Sequence, residues 1–183
     1  MTKNKKALIA AGVSGLVISG CWLSLESLEF EVLFYVVLYG AGVVYGLMTM
    51  WFVFGSLWRR IVWVLVSGVS YFLAVYVTLD IAPADDKFGF PDPGPQHFLA
   101  GGLLGAVILG VGYALLQRRV TASRLTLAIV LGGLVAYVVG FKVFIEPAGD
   151  YLFAILWPVW QVAVTYALLR GTDKEVRGNQ AAA

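Results

Sequence analysis

The sequence predicts an all-α integral membrane protein, a six-transmembrane-helix bundle with both the N- and the C-terminus cytoplasmic. Three observations carry this. Hydrophobic residues fill 60% of the 183 positions and mean hydropathy is +0.85, more apolar surface than one soluble core of this size can hide. The apolar residues fall into six runs, each of about the 20 residues that cross ~30 Å of hydrocarbon at ~1.5 Å per residue. The charged residues between the runs sort by side, an asymmetry hidden by the formal net charge of +2. Transmembrane strands would alternate and stay near ten residues, so a β-barrel does not fit.

Residues 1–6 are a short cytoplasmic tail carrying Lys3, Lys5 and Lys6. The first span is 7–25. Its lysines and the run Ile18-Ser19-Gly20-Cys21 resemble a bacterial lipoprotein leader, but the apolar stretch continues through Trp22, Leu23 and Leu25. The expectation is a retained first helix, with Cys21 unmodified. As the lone cysteine, Cys21 excludes an internal disulfide.

The second span, 32–54, and the third, 61–79, form a tight hairpin. Gly55 and Ser56 permit the turn, and Trp58, Arg59 and Arg60 suit the membrane interface. Trp63 is expected beside Trp58 in that interfacial belt. An outer loop, 80–97, follows, stiffened by Pro83, Pro91, Pro93 and Pro95. It divides the chain into three helices and three helices, a topology compatible with an inverted repeat.

The fourth span is 98–116. The fifth, 125–145, contains Lys142, the one basic residue inside any run. Glu146-Pro147-Ala148-Gly149-Asp150 then reads as a turn. The sixth span, 151–169, carries Trp157, Pro158, Trp160 and Gln161 near its middle, and 170–183 is a flexible cytoplasmic tail.

Orientation follows from the breaks. Arg59, Arg60, Arg118, Arg119, Arg124 and Arg170 share a side with the N-terminal lysines. Glu26, Glu29, Glu31, Asp80, Asp85, Asp86, Asp92, Glu146 and Asp150 lie on the other, with Lys87 as the only basic intruder. Lys/Arg excess in short loops marks the cytoplasmic side of an inner membrane.

Few residues are equipped for chemistry. Pro158 removes a helical hydrogen bond, which predicts a kink and a freed carbonyl near residue 154 that needs another donor. Gln161, an amide at bilayer depth, is expected to face protein. Lys142, Glu146, Trp157, Trp160 and Gln161 are the ligand-binding candidates, with Tyr35, Tyr39, Tyr71 and Tyr76 as possible pocket walls. Lys142 and Glu146 also stand four apart on one helix face, the spacing of a structural pair. Asp80, Asp92 and His97 are the outer-face candidates, although one histidine without a spaced second ligand more often caps a helix. No catalytic residue is assigned. With no P-loop, nucleotide fingerprint, HExxH or CxxC, no metal, cofactor or nucleic-acid partner is expected.

Small residues supply the packing logic. Gly42 and Gly46, Gly101 and Gly105, and the ladder Gly132, Ala136, Gly140 recur at the four-residue spacing that lets helices approach closely in lipid. These faces suit packing within the chain or docking of another membrane protein or a second copy. The function expected first is therefore a non-catalytic membrane subunit or interaction partner. A small transporter or channel-like module with its site near the kinked sixth helix is the second expectation, and an outer-face enzyme the third.

Overall fold

The structure is a computed structural model and describes residues 1–26, 31–80, 95–117, 120–145 and 149–170. These form six α-helices: α1 (Lys3–Glu26), α2 (Glu31–Val53), α3 (Leu57–Val75), α4 (Pro95–Gln117), α5 (Ala122–Ile145) and α6 (Gly149–Leu169). A π-helical turn, Tyr76–Asp80, prolongs α3. There is no strand among the described residues. Each helix falls on one of the six apolar runs, but all six begin before the run does, α1 and α3 by four residues at Lys3 and Leu57. Hydropathy marks only the apolar part of a helix, whereas the backbone ladder continues into polar sequence while its donors find acceptors. Pro95 sits at the start of α4, where its missing N–H costs nothing.

Among the described residues, three helices are long and apolar enough to span a membrane: Leu57–Leu79, Gln96–Gln117 and Ala122–Val139. Tyr39–Val53 and Ala154–Leu169 are shorter apolar helical stretches. The sorting of residues on α3 agrees with membrane association. Its exposed stripe is Ile61, Leu65, Val69 and Phe72, at helical spacing, while its buried face carries Trp63, Ser67, Ser70 and Tyr71. The outside is more apolar than the inside, the reverse of a soluble amphipathic helix.

The helices pack in chain order. Each of α1 to α5 lies against the next, and α6 returns to α1 to close a ring. Close approach is possible because glycines stand where helices touch. A Cβ on Gly46 would lie 2.8 Å from Val64 Cα of α3, and one on Gly132 would lie 3.1 Å from the Gly102 carbonyl oxygen of α4. Gly42 meets α3 at Ser67, Gly101 meets Ala74 and Thr78, and Gly105 meets Ala74 and Trp160. These five glycine positions are thus backed by helices of the same chain. Gly140 lies in α5, beyond the part whose side-chain surroundings are described.

Aromatic rings fill the ring's interior. Trp63 touches Phe54, Tyr45 and Tyr113 with ring centroids 5.5–6.1 Å apart. Its 1% exposure departs from the interfacial belt expected for it. The stripe shared with Ser67 and Tyr71 turns Trp63 inward, where its indole N–H donates to Thr49 Oγ1 at 2.9 Å. Trp58, at 70% exposure, does sit on the surface. Polar cross-links between helices include Ser70 Oγ to the Gly105 carbonyl (2.7 Å), Trp160 Nε1 to the Gly132 carbonyl (3.0 Å) and Tyr45 Oη with Thr165 Oγ1 (2.7 Å). At the Lys/Arg-rich end, Gln117 Nε2 donates to the Val53 carbonyl at 2.9 Å and ties α4 to α2.

Candidate functional site

Helix α6 sets the site, because its inward face carries Trp157, Trp160, Gln161 and Thr165, all buried. Trp157 and Gln161 are one turn apart and therefore share a side of the helix. Between them, Pro158 has no N–H to offer the Ala154 carbonyl. That carbonyl instead accepts from Ser19 Oγ of α1. The same hydroxyl also lies 2.8 Å from the Gly15 carbonyl of its own helix, so one proton serves two acceptors. Helix α1 can come this close because Gly15 lies flush on the proline, where a Cβ would stand 2.5 Å from Pro158 N.

Gln161 has 0% exposure. Its Oε1 accepts from Ser14 Oγ at 2.5 Å, and that hydroxyl also lies 2.8 Å from the Ala11 carbonyl. The expectation that the Gln161 amide faces protein thus agrees with the geometry. Its Nε2 has no partner, and neither do Tyr71 Oη and Trp157 Nε1. These atoms belong to neighbouring groups. The Tyr71 hydroxyl lies close enough to the Gln161 side chain to interact with it, without forming a well-aligned hydrogen bond, and the Tyr71 ring stacks on Trp157 with centroids 5.8 Å apart and planes 23° apart. Trp160 meets Tyr71 edge-on at 5.1 Å. A buried polar group without a hydrogen bond costs on the order of 1–3 kcal/mol, so three such groups in contact concentrate cost at one place.

Beside this cluster lies a cavity of about 50 Å³ between α3 with its π-helical turn, α4, α5 and α6. Tyr71, Thr78, Phe98, Gly102, Trp157 and Trp160 are among its walls, and no lining residue is charged. The π-helical turn brings Thr78 and Leu79 to the cavity, in keeping with the frequent use of such turns at functional sites. Thr78 Oγ1 donates to the Ala74 carbonyl at 2.8 Å.

The sequence candidates divide. Trp157, Trp160 and Gln161 come together, with Tyr71 among them. Lys142 belongs to another level: Trp160 bonds to Gly132, and from Gly132 to Lys142 the α5 axis advances about 15 Å. The Lys142 side chain is not among the described groups, and Glu146 lies outside the described residues. So does Asp92, and the Asp80 side chain is likewise not described. His97 begins α4 beside Thr78, its Nδ1 buried and unpartnered. Among the described residues no group of three or more His, Cys, Asp or Glu could hold a metal ion. Of the other tyrosines, Tyr76 is exposed and Tyr39 packs on Phe72; Tyr35 has no described side chain. Ser14, Ser19 and Thr78 were missed from sequence. Two hydroxyls inside the first apolar run, at Ser14 and Ser19, were the available signal.

No protein-family model, curated protein or solved structure matches the chain.

Proposed function

We propose that the chain is a six-span inner-membrane protein with cytoplasmic termini, acting as a small transporter or channel-like module. Its substrate site is formed by Tyr71, Trp157, Trp160 and Gln161. The observation that carries this is a group of three buried polar atoms without hydrogen-bond partners beside an apolar cavity walled by Tyr71, Trp157 and Trp160, where α6 carries Pro158. Kinked or broken helices beside polar groups and aromatic rings are a common way to build a site within a membrane.

Docking of a partner through Gly42, Gly46, Gly101, Gly105 and Gly132 has less support, since each already backs onto a helix of this chain. An outer-face enzyme has less again, because no carboxylate among the described groups accompanies His97.

The test is uptake into proteoliposomes of a panel of small radiolabelled solutes, neutral, anionic and cationic. Wild-type protein accelerates entry of at least one class, and Gln161→Leu returns that rate to the protein-free level with reconstitution unchanged. Failure of every class to enter faster than in protein-free vesicles would remove the transport function.

A further inference from the structure

We infer that the site takes an uncharged molecule with a hydrogen-bond-accepting oxygen, such as a ketone or ether, on a small apolar body. The inference rests on the transport reading above and names the chemistry of its substrate.

Donors outnumber acceptors among the unpaired groups. Trp157 Nε1 can only donate, Gln161 Nε2 carries two hydrogens, and Tyr71 Oη has one to give and can accept one in turn. The acceptor half of the Gln161 amide is already engaged by Ser14. A ligand therefore meets an excess of donors, which a ketone or ether oxygen satisfies and an ammonium group does not. The absence of charge from the cavity walls argues against an ion, because burying one without a counter-charge costs far more than burying a carbonyl. The remaining lining is almost wholly apolar. A volume of about 50 Å³ holds little more than a functional group and its neighbouring carbons, since a cavity that binds benzene measures ~150 Å³. The donor atoms have almost no accessible surface in this structure, so a ligand oxygen reaches them by parting the Tyr71 and Trp157 side chains that wall the cavity.

A half-turn of the Gln161 amide is the competing arrangement. Nε2 would then donate to Ser14, Oε1 would accept from Tyr71, and the cluster would be a structural cross-link with no need of a ligand. The two accounts differ in what Tyr71 does for stability.

The experiment measures dissociation constants by calorimetry, with melting temperatures, for protein in lipid nanodiscs. Four probes share a short chain and differ in head: acetone, propane, acetate and ethylammonium. The ketone should bind wild-type protein most tightly. Gln161→Leu and Trp157→Phe should each weaken it about tenfold, the value of one hydrogen bond, and leave propane unchanged. Trp157→Phe keeps the test open where Gln161→Leu does not fold. Tyr71→Phe should weaken the ketone without lowering the melting temperature. A lower melting temperature with unchanged ketone affinity would overturn the inference in favour of the cross-link. Binding of propane or a charged probe at least as tight as the ketone, still sensitive to Trp157→Phe, would refute the substrate class and leave the site standing. If no probe distinguishes wild type from Gln161→Leu and Trp157→Phe, the site itself fails.

Discussion

Ser19 of α1 donates its hydroxyl proton to the Ala154 carbonyl of α6, the acceptor that Pro158 deprives of its helical donor. The bond joins α1 to α6, the first and last helices of the ring, one turn before Pro158. Ser19→Ala should therefore destabilise the fold by about 1 kcal/mol, within the range for interhelical bonds in membrane proteins. Pro158→Ala returns an N–H to Ala154. In that background the Ser19→Ala penalty should largely vanish. A double-mutant cycle by denaturant unfolding in mixed micelles measures this coupling; additive effects would mean that Ser19 does not serve that carbonyl.

Gly15 is the steric counterpart of that bond. An added Cβ would lie 2.5 Å from Pro158 N and 2.9 Å from Pro158 Cβ, and backbone cannot yield as a flexible side chain can. Gly15→Ala should cost about 1–3 kcal/mol, as overpacked sites do. Gly20→Ala, where nothing lies within 4 Å of the added atom, is the control in the same helix. Melting of the two variants in detergent should differ clearly, with only Gly15→Ala falling.

The freed carbonyl and the inward amide were legible because Pro158 and Gln161 are rare in an apolar run, and each has only one inexpensive solution there. Their partners were not legible. Helix α1 is apolar on all sides, and a serine can bond its own backbone on any face, so nothing in its sequence singled out Ser14 and Ser19 as facing α6. Trp63 shows the opposite weakness: proximity to the arginines suggested an interface, but the stripe through Ser67 and Tyr71 decides its direction. The π-helical turn at Tyr76–Asp80 contains no Gly or Pro, so no local residue announced it. Lys142 stood out by composition, and only the α5–α6 register separates its level from that of Gln161.

Topology is open to direct measurement. The arginine-rich hairpin at Arg59 and Arg60 should face the cytoplasm with both termini. Reporters fused after Arg60, after Val120 or at the C-terminus should all register as cytoplasmic. One inserted in the acidic connection, at Asp86, should register as exterior. An exterior signal after Val120 would break the alternation and leave fewer than six crossings.

The turn between α2 and α3 tests how an arginine closes a helix end. Arg60 Nε donates to the Phe54 carbonyl at 2.9 Å, just past the last residue of α2. Its guanidinium also lies over the Trp51 ring, 4.4 Å from the centroid. One planar cation thus performs two tasks in perpendicular directions: an in-plane N–H bonds the orphan carbonyl, and the face covers the indole. Lysine keeps the charge but has no planar fork, so it can hold the carbonyl or approach the ring, not both in this geometry. Arg60→Lys should therefore lose most of what Arg60→Ala loses, about 1 kcal/mol in all for a charge-assisted bond and a partly exposed cation–π contact. Trp51→Leu should remove only the stacking share, and adding Arg60→Lys to it should cost less than in wild type. Unfolding of these variants in mixed micelles measures each difference. Full retention of stability in Arg60→Lys would reduce the role of Arg60 to its charge.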